Sequence, residues 1–172
     1  MTDRPLQPEE GGDPPCWRHL LEEPPVPMTD ATLSRLVREL ADAVVVCDPA
    51  GTIAFWNTAA TRIFGWAEDE AVGQSLDIIV PERLRARHWD GYRRVMATGE
   101  TKYGDHLLEV PALHRDGHTI SIAFTVTLLQ DGIDAGVRAI AAIIRDDTER
   151  WRQLRELQQT VTELENERTA RT

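Results

Sequence analysis

The chain has 172 residues and a formal net charge of −10, with two fifths of its residues hydrophobic. That length suits one domain with appended segments, and the hydrophobic share is enough for a core. An excess of acid this large repels nucleic acid and anionic lipid, and no apolar run is long enough to span a bilayer.

Residues 1–28 are rich in Pro, Gly, Glu and Asp. Gly11-Gly12-Asp13-Pro14-Pro15 and Glu22-Glu23-Pro24-Pro25 cannot sustain a helix or strand, so a disordered tail is expected. Met1-Thr2-Asp3-Arg4-Pro5 lacks the basic and apolar stretches of a signal peptide, and a cytoplasmic protein is the default. Cys16 in the tail and Cys47 in an apolar run form no CxxC word and no disulfide framework.

Asp30 can cap an amphipathic helix over 29–41, in which Leu33, Leu36, Val37 and Leu40 recur at helical spacing. Ala43-Val44-Val45-Val46-Cys47-Asp48 reads as a buried strand, Pro49-Ala50-Gly51 as a turn, and Thr52–Trp56 as the returning strand. Asn57 caps a short helix over 58–64 that Gly65 ends, with Ala60, Ile63 and Phe64 inward. Glu68-Asp69-Glu70 open another, ending near Gly73.

Pro81 suits the first position of a long helix that Thr98-Gly99-Glu100 closes. Leu84, His88, Gly91 and Val95 share one face of it. An imidazole among apolar neighbours needs a partner, and a metal can be that partner. The bland alternative is a ring bonded to a carbonyl or to water. Arg83, Arg85, Arg87, Arg93 and Arg94 make a basic patch that reads as a solvated helix face.

Three strands follow, over 103–114, 118–130 and 136–146, with Arg115-Asp116-Gly117 as the hairpin turn between the first two. Ile120, Ile122, Phe124, Val126 and Leu128 alternate with polar or small residues, so one face of the sheet meets a core or cavity. On 103–114 the odd positions carry Asp105 and Glu109, which turns His106, Leu108, Val110 and Ala112 inward. His114 and His118 flank the turn and are expected in solvent. The polar segment from Thr148 is helical, and Leu154, Leu157, Val161 and Leu164 form a short coiled-coil seam.

This order of elements resembles the PAS family of sensor domains. The words that carry the resemblance are Asp48-Pro49-Ala50-Gly51-Thr52-Ile53, Trp56-Asn57-Thr58-Ala59-Ala60, Ile63-Phe64-Gly65-Trp66, Val72-Gly73-Gln74 and His114-Arg115-Asp116-Gly117. Arg145-Asp146-Asp147-Thr148-Glu149-Arg150 looks like the PAS exit motif, in which an Asp and the Thr two residues on anchor the output helix. The resemblance implies an α+β fold, with a five-stranded antiparallel sheet and helices over one face. It also implies sensing or protein interaction rather than catalysis. The implied organisation is a tail over 1–28, an N-terminal helix over 29–41, a PAS domain over 42–148 and a signalling helix over 149–172.

PAS domains carry haem, flavin, small acids or nothing, and the fold alone does not choose. The light-sensing flavin branch needs an Asn-Cys-Arg word, where this chain reads Gly73-Gln74-Ser75-Leu76-Asp77-Ile78. A redox flavin stays open with no positive sign. Arg87-His88 resembles the Arg-His-Asp word of oxygen-sensing haem-PAS kinases, which supplies the proximal iron ligand. Trp89 departs from it, standing where that Asp follows. Arg94 matches a second Arg that lies near a haem propionate in that family.

Leu108 occupies the place of the Arg that bonds oxygen there, which weighs against oxygen itself as the signal. In related haem-PAS phosphodiesterases a Met two residues earlier is the sixth ligand, and that place is His106, eighteen residues after His88. The resemblance thus implies haem b on His88 and His106, with Arg94 and Tyr92 beside it and Leu108, Phe124 and Val126 as walls.

Zinc asks for a fuller ligand set than His88 and His106 provide. No nucleophile elbow and no Gly-rich phosphate loop is present. No output enzyme follows within the sequence, so a separate signalling partner is expected, with homodimerisation through the terminal helices. The alternative is an adaptor whose core is empty or holds a small metabolite, filled by Trp89, Tyr92, Met96 and Phe124.

Overall fold

The computed structural model describes residues 27–101, 106–130 and 136–170. The elements run α1 (Asp30–Glu39), β1 (Ala43–Cys47), β2 (Ile53–Trp56), α2 (Thr58–Phe64), α3 (Glu68–Ala71), a 3₁₀ turn (Leu76–Ile78), α4 (Glu82–Thr98), β3 (Leu108–Leu113), β4 (Thr119–Gln130), β5 (Val137–Asp146) and α5 (Thr148–Ala170). The five strands form one antiparallel sheet in the order β2-β1-β5-β4-β3. The α+β architecture and the sheet expected from the sequence are both present.

Register explains which residues meet inside. Val45 opposes Trp56 on one side and Ala142 on the other, and Ala142 opposes Val126. Phe124 lies between Leu108 and Ile144. Because side chains alternate along a strand, these residues share the inner face. The central strands bury it most deeply: Ala43, Val45, Cys47 and Ile144 are at most 3% exposed. On the opposite face Ile143 is exposed.

Local chemistry sets the helix ends. Asn57 accepts the Ala60 N–H and Gly65 closes α2 in the left-handed region, as the sequence predicts. For α1 the cap is Thr29 rather than Asp30: its hydroxyl accepts the Thr32 N–H, and Asp30 becomes the first-turn acid. Pro81 stands just before α4, and Gly99 ends it.

β3 is shorter than the expected 103–114, and residues 102–105 lie outside the described residues. So do residues 131–135 of the turn before β5 and residues 1–26 of the expected tail.

Candidate functional site

The inner face of the sheet is covered by two unlike groups of helices. α2 lies directly on β1, and Ala59, Ala60 and Phe64 are at most 1% exposed. Its anchor is Asn57, buried at 1% exposure. The Asn57 Oδ1 accepts the N–H groups of Val44 (2.9 Å) and Ala60 (3.0 Å), while Nδ2 donates to the carbonyls of Val37 and Asp42, both at 3.1 Å. Two acceptor and two donor positions are thereby filled, which is all that a side-chain amide has. The sequence marked this residue only as a cap. Its role in joining α1, β1 and α2 depends on contacts distant along the chain.

α4 covers the other half. Its inward stripe is Leu84, His88, Trp89, Tyr92, Val95 and Met96; of these only Tyr92 is buried, the rest being half-buried. Gly91, expected on this stripe, is exposed, because the helix is rotated to place Tyr92 inward instead. The Tyr92 hydroxyl donates to the Asp48 carbonyl at 2.5 Å, which fastens α4 to the end of β1. Burial pushes its phenol pKa up, with the Cys47 and Asp48 charges adding to the shift. Its hydroxyl is therefore committed to the fold.

Trp89 fastens the same helix a second way. Its indole N–H donates to Asp77 Oδ1 at 2.8 Å, and its ring lies on Gly51. A methyl group built on Gly51 would stand 2.2 Å from that ring, and Gly51 has φ +84°. Only glycine satisfies both demands there.

His88 is different. Its ring lies edge-on to Trp89, with centroids 4.8 Å apart, and 5.9 Å from the ring of Tyr92. Its Nδ1 is buried and has no hydrogen-bond partner among the described residues. Burial lowers its pKa below the usual 6.5, while the charge of Asp77 opposes that shift. The ring is therefore neutral at physiological pH and keeps a lone pair, the state a metal ligand requires. An unpaired buried nitrogen costs free energy that a ligand would recover.

Across from α4 the sheet offers Leu108, Val110, Phe124, Val126 and Leu128, all half-buried. Leu108, Phe124 and Val126 thus lie on the inner face, as expected. Arg94 is exposed, and its guanidinium has no partner among the described residues.

His106 does not meet expectation. It is exposed and precedes the first residue of β3. The alternation argument holds for Leu108, Val110 and Ala112, but the strand does not reach back to impose it on position 106. One imidazole, His88, therefore has the neutral, unpaired nitrogen that a metal ligand needs, and the rings against it are those of Trp89 and Tyr92. A second protein ligand from His106 does not fit.

The exit motif forms as read. The Asp146 carboxylate accepts the Thr148 N–H at 2.9 Å, and the Thr148 hydroxyl accepts the Ser121 N–H at 3.0 Å. The Asp147 N–H also donates to the Ser121 carbonyl at 2.8 Å. These bonds tie the first turn of α5 to β4. Further along α5, Leu154, Leu157, Val161 and Leu164 are exposed, as are Leu33 and Leu36 of α1.

A sensory or interaction module is the class that this sheet, its helical cover and its tethered exit helix define. The model of the PAS fold matches residues 31–146, and the chain belongs to the PAS family. It is 32% identical over 136 residues to the sensor protein FixL of Bradyrhizobium diazoefficiens, an alignment covering 77% of this chain and 26% of that protein. It is 34% identical over 124 residues to an uncharacterised protein of Azorhizobium caulinodans, covering 72% of this chain and 16% of the other. The chain therefore spans about a quarter or less of the length of these relatives.

Among solved structures, a PAS domain from Colwellia psychrerythraea aligns with a TM-score of 0.60 at 22% identity, covering 69% of this chain and 97% of that one. An RNA-binding light-oxygen-voltage receptor aligns at 0.64 and 20% identity, covering 94% and 41%. These two show the fold. No helix among the described residues is long and apolar enough to cross a membrane.

Proposed function

We propose that the chain is a haem-binding PAS sensor in which His88 holds the iron and α5 carries the output. The observation that carries this reading is the buried, unpartnered Nδ1 of His88 on a half-buried apolar wall. The relation to a sensor protein over most of the chain supports it, as does the resemblance of Arg87-His88 and Arg94 to haem-PAS sensors. Bound haem supplies an iron that takes a diatomic gas or changes redox state.

The chain's own residues do the rest. His88 keeps its imidazole neutral, Leu108, Phe124 and Val126 exclude water, and the exposed guanidinium of Arg94 is available to a propionate. A displacement of β4 passes through Ser121 to Thr148 and into α5. A ligand shifts this equilibrium only by binding one position of β4 better than the other. The exposed leucines of α1 and α5 are suited to joining two copies, and a separate signalling protein receives the output without catalysis by this domain. A cytoplasmic setting suits that role.

The test is reconstitution with hemin. A Soret band that is lost in His88→Ala and restored by added imidazole in His88→Gly is the expected result. A chain that stays colourless ends the haem reading and leaves an interaction adaptor. That second reading is favoured by one feature, the rings of Trp89 and Tyr92 standing against His88. Replacing Leu154 and Leu157 together by Ala should convert dimer to monomer in sedimentation under either reading; an unchanged mass would refute the seam.

A further inference from the structure

We infer that the tip of the β3–β4 hairpin is a binding site for a divalent transition metal, built from His114, Asp116 and His118. These residues stand at alternate positions of a single turn. The backbone pairs His114 with His118, whose carbonyl accepts the His114 N–H at 2.9 Å. That pairing puts both rings on one side of the hairpin, stacked with centroids 4.5 Å apart and planes 26° apart. Asp116 at the turn points its carboxylate between them. Its Oδ1 lies 3.0 Å from Nδ1 of His114 and 2.5 Å from Nδ1 of His118. One ligand atom from each residue lies within 4.8 Å of the other two.

The donor set selects the metal class. Two imidazoles and a carboxylate, with further positions open to water, suit zinc, cobalt, nickel or copper. Magnesium and calcium prefer oxygen ligands throughout. Tetrahedral ligands about 2 Å from an ion stand about 3.3 Å apart, so the carboxylate must draw back a little from both rings, a movement that exposed side chains allow.

The carboxylate already draws both rings to one point: Oδ1 of Asp116 faces Nδ1 of His114 and Nδ1 of His118. A metal ion entering there takes the place of the protons that these contacts share, so binding releases protons.

The site is also held in place. The His114 ring packs on Gly65, where an added methyl would come within 2.5 Å of its Nε2. Next to it, the Arg115 N–H donates to the Phe64 carbonyl, and the Arg115 guanidinium pairs with Glu70 at 2.6 Å. On the other side, His118 lines a groove with Ile120, Asp146, Thr148, Glu149 and Arg152 at the root of α5. A metal here would stiffen the hairpin three residues before Ser121, the anchor of the exit helix.

The experiment is titration of the untagged full chain with Zn²⁺ by calorimetry, and with Co²⁺ by visible absorption. One equivalent is expected per chain, with cobalt d–d bands and line broadening confined to the hairpin in NMR spectra. His118→Ala and Asp116→Asn should each weaken binding at least about tenfold, whereas His88→Ala and His106→Ala should leave it unchanged. His118 and Asp116 are exposed, so neither substitution threatens the fold. No cobalt band in the wild type, or equal affinity in His114→Ala/His118→Ala and wild type, would overturn the site.

Discussion

The two halves of the sheet's inner face are covered in opposite ways. Over β1 the polar anchor is complete: Asn57 is buried and each of its hydrogen-bonding positions is used, while the Trp66 indole N–H just past α2 is buried without a partner among the described residues. Over β3 and β4 the cover is looser. The apolar side chains stay half-buried, and His88 Nδ1 is buried with no partner among the described residues. Buried polar groups are normally paired, so an anchor that uses every one of its positions is built for stability. An unpaired imidazole beside half-buried apolar side chains can still accept a metal, which the unpaired indole N–H of Trp66, a donor only, cannot. Trp89 and Tyr92 mark the border, since both fasten α4 to the β1–β2 end through Gly51, Asp77 and Asp48.

The comparison breaks most visibly at Asn57. Asn57→Ala removes two acceptors from buried N–H groups and releases two carbonyls. Losing a cap together with a buried bond network costs about 3 kcal/mol or more. For a chain of this size the expected fall in melting temperature is roughly 10 °C. Differential scanning calorimetry would read it. A fall of only one or two degrees would show that the α2 side is no tighter than the α4 side.

Gly51 tests the border. Gly51→Ala forces a β-carbon into the left-handed region and into the Trp89 ring. The backbone term alone is about 1–2 kcal/mol, and displacing the indole adds to it. Trp89 would lose its bond to Asp77, so its fluorescence should shift to the red together with the loss of stability. An unshifted spectrum would mean that α4 is held without that contact.

How much of this was legible in the sequence depends on the range of the cause. The ends of α2 were readable because Asn57 and Gly65 act on their own turn. The strands, the exit motif and the inward faces of Leu108, Phe124 and Val126 followed from alternation and from recognisable words. The position of His106 was not readable. Alternation applies only where a strand pairs, and β3 pairs with β4 from Leu108 onward. Trp89 on Gly51, and Tyr92 on Asp48, join segments some forty residues apart, and no local pattern announces them. The sequence predicts His114 and His118 in solvent beside a turn, whereas the His114 ring is half-buried against Gly65 and only His118 is exposed. The signal was present as His-x-Asp-x-His, but its meaning depended on a cross-hairpin register that places both rings on one side.

The smallest expected effect is the one that isolates His88. His88→Leu removes an unpaired buried nitrogen and keeps the volume, so the ligand-free chain should be as stable as wild type, or more stable by up to about 1 kcal/mol. The pH dependence carries the sharper signature. The folded-state pKa of His88 is depressed below the 6.5 of an exposed imidazole, first by burial and against the opposing charge of Asp77. Between those two values the unfolded chain binds a proton that the folded chain refuses. Stability is therefore full above 6.5 and declines as pH falls toward the lower value. Leu cannot titrate, so urea midpoints of wild type and His88→Leu should diverge on acidification, with the variant ahead. Asp116 also carries a depressed pKa, but its contribution is lost as pH falls from 3.8 toward about 2, well below this window. Parallel curves between pH 7 and 5 would mean that the His88 ring is solvated in both states. The α4 side would then hold no unpaired group, and the contrast with Asn57 would disappear.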